Sequence, residues 1–191
     1  MRRLPFFVWL LLALFLVKPV HADSPLRKST NYYFVAGNSA LILMQQFSKK
    51  GPVGRDGRNY IYRARWDVQW KIKFLERDQS CRPKEVSVTV GMNATYPKWR
   101  NFSNASNKLK IRWEKMFIAI KKHEKFHEQR AVLAAEKIKN TILAFDREDT
   151  CRLVEQKATN VGRKIMSTYQ KMSEAYDIET QYGQSIGITL L

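Results

Sequence analysis

From Tyr60 to Leu75 the chain alternates between apolar and polar residues with a period of two. Tyr60, Tyr62, Ala64, Trp66, Val68, Trp70, Ile72 and Phe74 share one face, and Arg63, Arg65, Asp67, Gln69, Lys71 and Lys73 share the other. Successive side chains of a strand point to opposite faces, so this pattern predicts a strand with one buried and one wet side. Glu85 to Tyr96 repeats it, with Val86, Val88, Val90, Met92 and Ala94 alternating with Ser87, Thr89, Gly91 and Asn93. The two segments predict a long antiparallel hairpin, connected through Glu76 to Lys84. A shorter strand is expected over Asn31 to Ala36 and a short helix over Ser39 to Phe47. Gly51-Pro52, Gly54 and Asp56-Gly57 mark the intervening loop, and a second polar loop is expected from Pro97 to Asn107.

The period then changes. Trp113, Phe117, Ile120, Ala131, Ala134, Ile138 and Ile142 fall on one helical stripe, predicting a helix from about Lys108 to Phe145. Asp146 to Thr150 interrupts it. Asp149 or Thr150 can cap a second long helix reaching about Ala175, followed by an irregular segment from Tyr176 to Leu191. Strands first and helices second describe an α+β chain, with an antiparallel hairpin or small sheet packed on two long helices.

The N-terminus carries a separate signal. Arg2 and Arg3 precede the apolar run Phe6 to Val17, and Val20-His21-Ala22 is a small-residue cleavage site. Residues 1–22 are expected to be an export signal and 23–191 one domain. Lys18 near the cleavage site leaves an uncleaved anchor as the second reading. Export places the chain in the periplasm or outside the cell, where the two cysteines, Cys81 and Cys151, are expected to pair.

Charge narrows the partners less. The sequence holds 34 Lys and Arg against 17 Asp and Glu. That balance suits an anionic cell-envelope surface, a basic soluble surface or nucleic acid. The aromatics of the first long strand lie on one face and its cations on the other. A buried sheet face therefore explains them better than a stacking platform for nucleic acid, and no specific nucleic-acid partner is expected.

The chemistry concentrates in His123-Glu124-Lys125-Phe126-His127, which holds the only histidines after the leader. Positions i and i+4 share a helix face, so both imidazoles can grip one ion, and the glutamate beside the first can act on water there. Glu124 and His127 interrupt the apolar stripe itself, which turns the motif toward the protein interior. The pattern points to Zn2+ held by His123 and His127 with Glu124 as general base. A catalytic zinc site normally has three protein ligands. Glu128 follows His127 but points about 100° around the helix. The C-terminal segment offers Asp177, Glu179 and Tyr182 as the third.

At these residues the chain resembles a bacterial family of uncharacterised secreted proteins described as zinc-dependent proteases. The resemblance runs through Gly51-Pro52, Asp56-Gly57, Trp66, Trp70, Cys81, Pro97-Lys98-Trp99, the His123–His127 helix and Cys151. That family typically ends in Tyr-Asp-x-x-Thr-x-His-Gly. Here the stretch is Tyr176-Asp177-Ile178-Glu179-Thr180-Gln181-Tyr182-Gly183, with Tyr182 in place of the histidine. The resemblance implies a zincin-like fold, a peptide or protein substrate, and either Tyr182 or a nearby carboxylate as third ligand. The other function class compatible with the sequence is a non-catalytic, basic cell-envelope module that retains the fold.

Overall fold

The computed structural model describes residues 25–54 and 56–191, so the expected leader and its cleavage site lie outside the described residues. Its elements run β1 (Leu26–Val35), α1 (Ala40–Lys50), β2 (Arg63–Arg77), β3 (Ser80–Trp99), α2 (Asn107–Leu143), α3 (Cys151–Glu179) and a final 3-10 turn (Gln184–Ile186). Each helix begins at a hydroxyl residue that satisfies a free backbone N–H of the first turn. Ser39 accepts from Ile42, Ser106 from Leu109, and Thr150 from Leu153.

The sheet order is β1-β3-β2. β2 and β3 are antiparallel, as the alternation implies, and pair from Arg63↔Thr95 to Arg77↔Ser80. The connection is tighter than the expected Glu76–Lys84 segment. It is the two-residue turn Asp78-Gln79, both residues at positive φ (50° and 55°). That is the twist a two-residue hairpin needs, here achieved without glycine, which hid it from a sequence reading. A register shift between Lys73 and Phe74 accommodates Pro83 opposite Phe74. This stretch of β3 lies beyond β1, where a residue lacking an N–H is tolerated.

β1 is longer than expected and lies parallel to β3, from Leu26↔Val90 to Val35↔Trp99. The sheet is therefore mixed rather than wholly antiparallel, and Pro97-Lys98-Trp99 belongs to β3 rather than to a loop.

One face of the sheet packs on the helices in two apolar clusters. The first joins Leu43, Tyr62, Tyr96, Trp99, Trp113, Met116 and Ile120. The second joins Val68, Val86, Val88, Val90, Ala131, Ala134, Ile138 and Ala158. Helix α2 contributes to both, and between its two apolar stretches lie the buried polar residues His123, Glu124, His127 and Glu128. In the second cluster the fit is close enough to require glycine on α3: a Cβ at Gly162 would stand 2.5 Å from the Trp70 ring.

Cys81 and Cys151 form a disulfide. It fastens the start of β3 to the start of α3, beside a pair of backbone hydrogen bonds between Cys81 and Glu148 (2.7 and 2.8 Å). The pairing suits an oxidising compartment. No helix among the described residues is long and apolar enough to cross a membrane.

Candidate metal centre

The helical repeat places His123 and His127 on the same side of α2, one turn apart, facing the end of α3. Both imidazoles are buried, at 2% and 7% exposure. Helix α3 runs four residues past the expected end near Ala175, and this extension carries Asp177 to them. Asp177 Oδ1 stands 3.4 Å from His123 Nε2 and 3.1 Å from His127 Nε2. The three donors lie within 4.8 Å of one another.

These separations fit a shared cation. Ligands about 2.0–2.2 Å from a tetrahedral zinc are about 3.4 Å apart. Two neutral imidazole nitrogens and one carboxylate oxygen are also a donor set that zinc accepts. A second grouping, Glu76 with Cys81 and Cys151, is not comparable, because both sulfurs are consumed by the disulfide.

The surroundings orient His123. The Tyr62 hydroxyl is in hydrogen-bond contact with its Nδ1, and the Thr180 hydroxyl lies 3.2 Å from its Nε2. Tyr176 stacks on the imidazole at 4.7 Å between centroids and on Phe126 at 3.8 Å. Tyr176 and Thr180 are four residues apart, so both face α2 from one side of α3. Thr180 donates to Tyr176 O at 2.7 Å and accepts from the Gly183 N–H at 3.1 Å. Each residue of the Tyr-Asp-x-x-Thr pattern thus touches or positions a histidine. Tyr62 is the residue that sequence reading missed as part of the site. The alternation put it on the buried face, but nothing in the spacing revealed the contact of its hydroxyl with His123.

Burial disfavours protonation of His123, and the neighbouring His127 adds to the effect against an opposing pull from Asp177, bringing its pKa down to about 4. The ring is therefore neutral near pH 7, the form that can donate a lone pair to a metal. Burial, then the negative charges of Asp177 and Glu124, hold the Tyr62 phenol well above its ordinary range, so it stays protonated.

The other expected residues are placed differently. Glu124 is buried, but its carboxylate turns toward β3. It accepts from Tyr96 and from Lys121 Nζ at 3.1 Å. Glu128, one turn on, is paired with Lys28 of β1 and with Lys125. Burial works against its charge, yet the two lysines outweigh this and keep its carboxyl below the usual range. The histidines and the glutamates of this segment thus occupy two flanks of α2: imidazoles toward α3, carboxylates toward β1 and β3. Glu179 is exposed. Tyr182 packs its ring on Tyr60 at 4.8 Å, with the Arg58 guanidinium 5.7 Å from its centroid.

Residues 30–184 match the family described as bacterial protein of unknown function, DUF922. The chain belongs to this family. The match runs from within β1 through the Tyr176–Gly183 turn and so takes in every residue of the candidate centre. The family description assigns no activity. No curated protein and no solved structure matches the chain.

Proposed function

We propose that the protein is an exported zinc-dependent metallohydrolase, a peptidase, with a zincin-like arrangement of sheet over metal-bearing helix. The observation that carries this reading is the meeting of His123, His127 and Asp177 at ligand spacing in a buried, neutral-imidazole setting. The three residues would hold the ion, and zinc so bound supplies Lewis acidity that activates water toward an amide carbonyl.

The chain's own residues supply the rest. With Nε2 of His123 facing the ion, Nδ1 carries the proton and donates it to the Tyr62 oxygen, which fixes the tautomer. Tyr176 holds the ring plane. Glu124 takes the proton of the attacking water on a carboxylate oxygen and returns it to the leaving amine. To do so the carboxylate must leave Tyr96 and Lys121 and turn toward the histidine pair.

That orientation of Glu124 is also the observation favouring the second reading, a non-catalytic basic module of the cell envelope that keeps the metal. Replacing Glu124 by Gln separates the two. For a hydrolase, turnover of a peptide substrate should fall by a factor of about 100 or more, within the range for loss of a general base, while zinc content is retained. Absence of peptide hydrolysis by the zinc-loaded wild-type protein, with unchanged binding to anionic envelope polymers in the Glu124→Gln variant, favours the module.

A further inference from the structure

A cleft of about 250 Å³ opens between α1, the segment before β2 and the C-terminal turn. Tyr62 forms part of its wall, and the hydroxyl of the same Tyr62 touches His123. An occupant of the cleft is therefore separated from the metal centre by one side chain.

The cleft presents ring faces and aliphatic carbon on one part of its wall. Tyr60 and Tyr182 meet at 4.8 Å beside Met44, Phe47 and Ile188, while Ser48, Arg58, Asn59 and Gln184 add polar side chains. The tyrosine hydroxyls are already engaged. Tyr60 donates to Asp56 at 2.7 Å and shares a hydrogen bond with Tyr182, and Tyr62 is taken by His123. The ring faces and aliphatic residues are thus left for stacking and apolar contact, the part of the wall that suits a large apolar side chain.

The backbone that supplies Tyr182 is held in an unusual conformation. Gln181 and Tyr182 have φ of 50° and 55°, followed by Gly183 at 86°. Residues with a Cβ rarely adopt this region, and such strain persists where the surrounding structure fixes it. Here the Tyr182 N–H donates to Asp177 O and the Ser185 N–H to Thr180 O at 3.1 Å. One turn thus brings Asp177 and Thr180 to the histidines and lays the Tyr182 ring against Tyr60.

We propose that this cleft binds a large apolar side chain, aromatic by preference, of a peptide whose scissile bond lies at the His123–His127–Asp177 centre. Tyr182 is then a specificity-determining wall of the substrate site and not a metal ligand. The inference rests on the peptidase reading of that centre.

The test measures binding of the blocked tripeptide N-acetyl-Ala-Phe-Ala-amide, against the same peptide with glycine at its middle position, to intact protein with and without zinc. Calorimetry should show the phenylalanine peptide binding at least about ten-fold more tightly, a free-energy difference of about 1.4 kcal/mol. Tyr182→Ala should abolish that preference and Tyr182→Phe should keep it, both with zinc content unchanged. Met44→Trp, which fills the cleft from α1, should block the phenylalanine peptide while circular dichroism stays native. Equal binding of the two peptides overturns the proposal. So does displacement by an N-acetylglucosamine oligomer, or loss of zinc in Tyr182→Phe. Selective binding without any hydrolysis leaves the cleft assignment standing and removes the peptidase reading. Hydrolysis without side-chain preference does the reverse.

Discussion

Asp177 Oδ1 lies 3.1 Å from His127 Nε2, although His127 sits near the middle of α2 and Asp177 close to the C-terminal end of α3. The same oxygen is 3.4 Å from His123 Nε2. A carboxylate so placed between two buried imidazoles completes a set of donors that neither helix could assemble alone.

Metal content tests this set directly. The purified protein should hold about one equivalent of zinc, the number a single three-donor site takes. His123→Ala and Asp177→Ala should each lose it on dialysis. Tyr62→Phe removes only the partner of Nδ1, and should weaken zinc by about 10- to 100-fold, the usual effect of an outer partner. Stoichiometric zinc in Asp177→Ala, measured by atomic emission, would exclude Asp177 as a ligand.

The depressed pKa of His123 predicts an acid-sensitive fold in the metal-free protein. The folded value is about 4 against an ordinary 6.5, so between these pH values the unfolded chain binds the extra proton. Stability is then full above about pH 6.5 and is lost as the pH falls toward and through about 4. The upper bound on this contribution is on the order of 3 kcal/mol. Urea midpoints at several pH values, compared with a His123→Gln variant, should show a smaller drop over this window in the variant. Parallel pH curves for the two proteins would rule the effect out.

The disulfide closes a separation of 70 residues between the hairpin end and the start of α3. In the chain-entropy treatment a loop of this size contributes about 4 kcal/mol. A Cys81→Ala/Cys151→Ala double variant should lose much of that in chemical denaturation and melt at a lower temperature. Unchanged stability would mean that the Cys81–Glu148 backbone pairing alone holds this corner.

Gly162→Ala sets two effects against each other. Alanine favours a helix by up to about 1 kcal/mol over glycine. The added Cβ, however, would fall 2.5 Å from the rigid Trp70 ring, and overpacking of this kind costs about 1–3 kcal/mol. The clash should win, with a net loss of about 1 kcal/mol. A variant more stable than wild type would show that Trp70 moves freely.

Some of this architecture was legible along the chain. The alternation from Tyr60 to Phe74 and from Val86 to Ala94 located both long strands and their buried face. The apolar stripe of α2, interrupted by Glu124 and His127, showed that the histidine motif turns toward the protein interior, and Thr150 was identified as a possible cap. The Asp78-Gln79 turn escaped because its left-handed residues are not glycine, and the first half of β1, before the expected Asn31, because its exposed residues carry no alternation. Parallel pairing of β1 with β3 has no local signature at all.

The sequence by itself determined what depends on neighbours a few residues apart: strand faces, helix stripes, caps, and the one-turn spacing that lets His123 and His127 share an ion. Only the tertiary structure decided that Asp177, rather than Glu179 or Tyr182, approaches both imidazoles, that Tyr62 holds His123, and that Glu124 turns toward Tyr96. The reason is physical. Periodicity fixes which way a side chain leaves its own element, but which distant groups it meets depends on how helix and sheet pack. Here that packing was set by the length of α3, the left-handed turn after Thr180, and the apolar clusters on either side of the site.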